Sequence, residues 1–159
     1  MFSGKKILVG VCGGIAAYKV CELVRDLKRQ HADVRVMMTP DAARFVTPVT
    51  FQALSGNPVA VDLFAASRDE IEHIYLGRWA DAIVIAPATA NTLAKLAHGM
   101  ADNVVTSTVL AARVPVVLAP AMNTAMWETP ATVENMEKLK ARFFAVVEPE
   151  YGELASEIE

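Results

Sequence analysis

The stretches KKILVGV (5–11), WADAIVIAPA (79–88) and VPVVLAPAM (114–122) carry apolar cores in which polar residues do not alternate. A strand with one wet face alternates, because successive side chains point to opposite sides. These strands must therefore be covered on both faces, as in a parallel sheet flanked by helices. Each run is far short of the ~20 apolar residues that a membrane-spanning helix needs, so no membrane partner is expected. ADVRVMMT (32–39) and RFFAVVEP (142–149) read as two further strands.

Between the strands the period changes. GGIAAYKVCELVRDLKRQ (13–30) places Ile15, Val20, Val24 and Leu27 at helical spacing. Short helices are expected at PDAARFV (40–46) and TPVTFQALSG (47–56). Pro40 and Pro48 would then sit in first turns, where a missing N–H costs nothing. TANTLAKLAHG (89–99) reads as a helix closed by Gly99, and DNVVTSTVLAA (102–112) as the next. TPATVENMEKLKA (129–141) reads as a helix entered through Thr129 as cap and Pro130, while 57–75 looks irregular. Strands alternating with helices over short links predict one α/β domain across 1–159, a doubly wound parallel sheet. Ligands in such sheets bind beyond the carboxyl ends of the strands.

Composition narrows the function. The net charge is −3 with no basic cluster, which argues against nucleic acid. MFSGKKILVG runs from two lysines straight into a strand, without the apolar segment of a signal peptide. Cys12 falls at a strand end and Cys21 inside a helix, so no disulfide is expected and a reducing cytoplasm is the default. No histidine or cysteine pair has metal-ligand spacing, so no metal is expected. Hydrophobic residues make up 53% of the chain. A lone domain of this length would expose much of that surface, which predicts a homo-oligomer with sites near its interfaces.

The strand ends carry the candidate chemistry. In GVCGGIAAYK, glycines let backbone approach a ligand, and a helix N-terminus offers N–H groups to an anion. It is neither the GxGxxG fingerprint nor a P-loop, and a tight strand–helix turn explains it equally well. The second strand ends in MMTP, offering Thr39 where a dinucleotide site has an acidic residue. That hydroxyl suits a phosphate or a flavin ribityl chain better than a nicotinamide ribose. In APATANTLAKLAHGMADN (86–103), small and hydroxyl-bearing residues crowd a strand mouth. They would let a flat ring lie on backbone, although Thr and Asn also cap helices. Asp102 and Asn103 are each cap or ligand. LAPAMNTAMWETP (118–130) sets Asn123 at another strand mouth, as cap or ligand, with Met126 and Trp127 read as packing. His73, in DEIEHIYLGRWAD, is a structural histidine or a proton-transfer group. No GxSxG nucleophile elbow occurs.

GGIAAYK, PATANT, GMADN and PAMNTAMW, in this order and with His73 in HIYLGRWAD, resemble the homo-oligomeric flavin-containing cysteine decarboxylases. The likeness runs from Lys5 to about Ala155 and is greatest to the phosphopantothenoylcysteine decarboxylase branch, where a synthetase-type domain can follow. The resemblance implies a Rossmann-like fold, built into trimers or dodecamers of trimers, with FMN between neighbouring subunits. It implies FMN contacts at Gly14, Ile15 and Ala16, at Thr39 and Phe45, at Ala88, Thr89, Asn91 and Thr92, and at Met100, Ala101 and Asp102. The catalytic histidine corresponds to His73 and the substrate-binding asparagine to Asn123, with Ala121 and Met122 against the substrate. The implied reaction converts 4′-phosphopantothenoylcysteine to 4′-phosphopantetheine in coenzyme A biosynthesis. Flavin oxidation of the thiol gives a thioaldehyde whose C=S is the electron sink for decarboxylation to an ene-thiol.

One departure stands out. The resemblance places a catalytic cysteine in a G-x-L-A-C-G flap, but this chain reads GELASE, with Ser156 at that place and Glu157 for the glycine. A hydroxyl is a much weaker acid than a thiol. Three readings stay open: another donor replaces the cysteine, the change traps an intermediate, or the chain runs only the oxidative half-reaction. Two other functions compete, a non-catalytic flavin-binding regulator and a flavin prenyltransferase. CGGIAAYK argues against the latter.

Overall fold

The structure is a computed structural model and describes residues 1–65 and 70–152. Five strands form one all-parallel sheet: β1 (Lys6–Val11), β2 (Asp33–Met38), β3 (Ala82–Ala88), β4 (Val116–Pro120) and β5 (Ala145–Val146). Their order is β2-β1-β3-β4-β5. This is the doubly wound, Rossmann-like arrangement, and its strand order reverses between β1 and β3.

Strand pleating explains the two cores. Val9 and Val11 of β1 and Val34 and Val36 of β2 face α1 (Ala17–Arg29) and α2 (Pro48–Ser55). Leu8, Met37, Ile83, Ile85 and Leu118 point the other way. They meet α3 (Glu72–Trp79), α4 (Ala90–His98), α5 (Val104–Ala111) and α7 (Pro130–Ala141). A short helix, α6 (Thr124–Glu128), precedes α7. Leu8 and Val9, on opposite faces of β1, are fully buried, so β1 is covered on both faces as expected; β3 and β4 are buried on the side of Ile83, Ile85 and Leu118, while Val84, Val117 and Ala119 on the other side are only half-buried. No helix among the described residues is long and apolar enough to cross a membrane.

Several boundaries differ from the sequence reading. Helix α1 begins at Ala17, because Gly13–Ala16 form the turn out of β1. The expected helix at 40–46 is a single 3-10 turn, Ala42–Arg44, where Thr39 Oγ1 accepts the Ala42 N–H at 3.2 Å. Pro40 thus lies outside the helical turn, whereas Pro48 does start α2, which Gly56 closes with a φ of 75°. Helix α3 occupies a stretch that reads as irregular, and it absorbs Trp79 from the expected third strand. It buries only Leu76 and Gly77, so its sequence shows little apolar period. Strand β5 has two residues rather than eight, because Phe143 takes a φ of 67° and turns the chain just before it. Thr129 does precede α7 but makes no side-chain cap bond. Cys12, buried just past β1, and Cys21, half-buried on α1, are both free.

Candidate functional site

A cavity of about 560 Å³ opens at the carboxyl ends of β1, β3 and β4, at the point where the strand order reverses. Three turns build it. The first, Gly13–Ala16, is tightened by Gly14 N–H to Cys12 O at 3.1 Å and Ala17 N–H to Gly14 O at 3.0 Å. The N–H groups of Ile15 and Ala16 have no acceptor among the described residues, and α1 has no side-chain cap. Such an open helix N-terminus suits an anion. Thr39 and Asp41 line the same end of the cavity.

Gly13 is required by contact. A Cβ there would lie 2.7 Å from Asp41 Cβ and 3.0 Å from its carbonyl carbon. Backbone would have to move, so Gly13→Ala is expected to lower stability by about 1–3 kcal/mol and to weaken ligand retention. Thermal melts with and without flavin check this; an unchanged melting temperature in both would show that the turn yields freely.

The second turn runs from β3 through α4. Thr89 caps α4 by accepting the Thr92 N–H at 3.2 Å. Asn91 and Lys95 lie four residues apart on α4, hence on one face, and both line the cavity. Lys95 Nζ donates to both carboxylate oxygens of Asp102, at 2.9 and 2.7 Å. That hydrogen bond holds the Asp102 carboxyl below its ordinary pKa. The pair's contribution is present above the normal carboxylate range and fades as pH falls through the lowered value; its exposure keeps it small. Asn103 proves to be the cap: its Oδ1 accepts the Thr106 N–H at 2.9 Å, and Thr106 Oγ1 answers the Asn103 N–H at 3.2 Å.

The third turn follows β4. Between Ile85 and Ala88 the pairing of β3 with β4 shifts register, so that Ala88 faces Pro120. The Ala121 N–H then donates to Ala88 O at 3.2 Å, which ties this turn to the second. Ala121, Met122 and Asn123 line the cavity. Asn123 Oδ1 caps α6 by accepting the Ala125 N–H at 2.8 Å. Its Nδ2 has no partner among the described residues and is a free amide donor. Both readings of Asn123 are therefore compatible: one atom caps, the other serves the cavity. Met126 lines the cavity and is half-exposed, whereas the sequence suggested packing; Trp127 does pack on the core.

The cavity thus gathers Gly14, Ile15, Ala16 and Thr39 with Thr89, Asn91, Thr92 and Asp102. Other expected positions lie elsewhere. Phe45 borders an adjoining cleft of about 400 Å³ with Gly13, Asp41 and Arg44. Ala88 is fully buried, while Met100 and Ala101 are exposed beyond the cavity wall. His73, on the first turn of α3, does not line the cavity; its Nδ1 is buried without a hydrogen-bond partner. Ser156 lies outside the described residues. Lys95 and Asp41 were not anticipated, although the spacing of Asn91 and Lys95 could have shown the first. Cys12 sits next to this turn, and burial pushes its thiol above the ordinary value, so it is not a reactive thiolate.

The chain matches the Flavoprotein family over residues 1–159. It is 51% identical over 150 residues to the coenzyme A biosynthesis bifunctional protein CoaBC of Mycobacterium tuberculosis strain H37Rv, a match spanning 94% of this chain and 36% of that protein. The chain therefore spans little more than a third of that relative. Among solved structures it resembles the FMN-dependent cysteine decarboxylase SpaF, with a TM-score of 0.91 and 40% identity over 96% of this chain and 88% of SpaF. It also resembles a cysteine-to-serine mutant of PPC decarboxylase complexed with pantothenoylaminoethenethiol. That match has a TM-score of 0.83 and 31% identity over 96% of this chain and 86% of the other. With this fold, these three turns and these likenesses over nearly its whole length, the chain belongs to the Flavoprotein family, on its flavin-containing cysteine decarboxylase side.

Proposed function

We propose that the chain binds FMN in this cavity and decarboxylates 4′-phosphopantothenoylcysteine to 4′-phosphopantetheine, a step of coenzyme A biosynthesis in the cytoplasm. The observation that carries the reading is the convergence of three distant turns on one cavity, with hydroxyls, free backbone N–H groups and the free amide donor of Asn123. The residues present fit a flavin nucleotide. Ile15 and Ala16 offer N–H groups to a phosphate, and Ala16 and Ala90 leave a flat ring room against backbone. Bound FMN would supply the reversible oxidation of the cysteine thiol.

The rest of the chemistry falls to the chain. Asn123 Nδ2 can donate to the carboxylate that must leave, binding it without neutralising it. A free cation there would stabilise the charge that disappears and so oppose the reaction. Lys95, the one lysine on the cavity wall among the described residues, is held by both oxygens of Asp102, which fits this requirement. His73 would move the proton; it does not line the cavity of its own chain, which supports a reading in which a second copy brings it there. Ile15 and Met126 on the cavity wall, and Phe45 and Met100 elsewhere on the surface, are exposed apolar side chains that a neighbouring copy could cover.

Ser156 favours one variant of this reading, in which the cycle halts at the ene-thiol for want of a thiol donor. Flavin-loaded protein given 4′-phosphopantothenoylcysteine is expected to release CO₂ and bleach its flavin absorbance. Ser156→Cys is expected to raise the ratio of 4′-phosphopantetheine to ene-thiol, measured by mass spectrometry. No CO₂ and no bleaching from loaded protein would end the proposal. An unchanged product ratio would remove position 156 from the final reduction.

A further inference from the structure

We infer that Arg35 is a positioning residue that sets the direction of His73 by clamping the rotation of α3; its link to catalysis rests on the role proposed for His73. Arg35 is a half-buried charge at the third place of β2, between the buried Val34 and Val36. Its side chain leaves the sheet on the side of Met37, two residues on, which is the face that α3 and α5 cover. The guanidinium carbon lies 5.3 Å from the ring centroid of Tyr75 and 4.9 Å from that of Trp79. Arg35 Nε is buried with no hydrogen-bond partner. A buried donor left unpaired is costly, and the stack on two rings offsets part of that cost. A planar guanidinium can lie against aromatic faces, and an ammonium group cannot do so in the same way.

The stack matters because the buried footprint of α3 is small. It buries only Leu76 and Gly77, and Ile71 at its N-cap provides no side-chain bond. Tyr75 and Trp79 are four residues apart and share one side of the helix. Gly77 lies two residues from each, roughly 200° around the axis. On that opposite side a Gly77 Cβ would stand 3.5 Å from Thr108 O and from backbone atoms of Ala112. The helix is thus held between Arg35 and the α5 backbone. His73 is four residues before Gly77, on the same stripe, and no hydrogen bond fixes its buried Nδ1. The rotation of the helix therefore helps to set where the imidazole points.

Arg35→Met and Arg35→Lys test this in the flavin-loaded protein with isotopically labelled histidine. Both are expected to keep their FMN and to lose kcat by about tenfold or more, with KM nearly unchanged. In both, the His73 imidazole resonance (assigned by its loss in His73→Asn) should move, while those of His31 and His98 stay. Wild-type kcat and an unmoved His73 resonance would overturn the inference. So would equal movement of all three histidines, which marks general loosening, or full rescue by Arg35→Lys, which marks charge alone. If Arg35→Met does not fold, Trp79→Leu removes one wall of the clamp and carries the same expectations. Should His73→Asn leave turnover intact, His73 is not catalytic, yet the resonance still reports whether Arg35 aims it.

Discussion

His73→Asn is expected to give a flavin-loaded protein that releases CO₂ at least about a hundredfold more slowly, the usual cost of losing a general acid or base. Asparagine keeps a polar group on the first turn of α3 but cannot change protonation state. His73 does not line its own chain's cavity, and asparagine keeps a small polar side chain where a second copy brings this position to FMN, so FMN content should equal that of the wild type. The buried, unpartnered Nδ1 also means that the substitution breaks no hydrogen bond. Stability should therefore change little, and any loss of turnover can be assigned to chemistry. Stopped-flow absorbance at the flavin bands, with CO₂ release measured in parallel, separates flavin reduction from decarboxylation. Turnover within twofold of wild type would remove His73 from the mechanism.

Asn123→Asp should abolish productive substrate binding while leaving the fold intact. The structure makes this separation available, because Asn123 uses Oδ1 as the cap of α6 and leaves Nδ2 free. Aspartate caps a helix as well as asparagine does, so the Ala125 N–H keeps its acceptor. The free donor is replaced by a negative oxygen facing a substrate carboxylate. Two like charges ~4 Å apart repel by about 4 kcal/mol at an effective dielectric near 20. That is on the order of a hundred- to thousandfold in binding. Asn123→Ala removes cap and donor together and should cost about 1 kcal/mol of stability as well. Calorimetric titration of the oxidised protein with substrate, beside a thermal melt, distinguishes the two. Unaltered substrate affinity in Asn123→Asp would show that Asn123 serves the helix alone.

Local chemistry was legible in the sequence and rotation was not. β1, β3 and β4 could be recognised because apolar residues fill both of their faces without alternation, fully buried in β1 and half-buried on one side of β3 and β4, and Gly56 and Gly99 ended their helices as left-handed residues do. The turns after these strands could be named for the same reason: a strand end fixes where its next few residues go. The dual use of Asn123 was visible only as a choice between cap and ligand, since sequence does not say that the two oxygen and nitrogen atoms point different ways. Lys95 looked like an ordinary helix lysine until Asp102 was seen to hold it. Helix α3 escaped notice because it buries only Leu76 and Gly77 and packs Tyr75 and Trp79 beside Arg35, which leaves no long apolar stripe. That His73 does not line the cavity of its own chain could not be read from residue spacing.

The assembly of one cavity from turns after β1, β3 and β4 bears on how the chain reaches its native state. Each of the three lies far from the others in sequence, so no fragment of the chain contains the cavity. The ligand can be retained only when β1, β3 and β4 are aligned in one sheet. Its binding energy therefore stabilises the sheet as a whole rather than any one loop. Flavin release during denaturation should then coincide with loss of the central strands, and the most slowly exchanging amides should slow together when flavin is added.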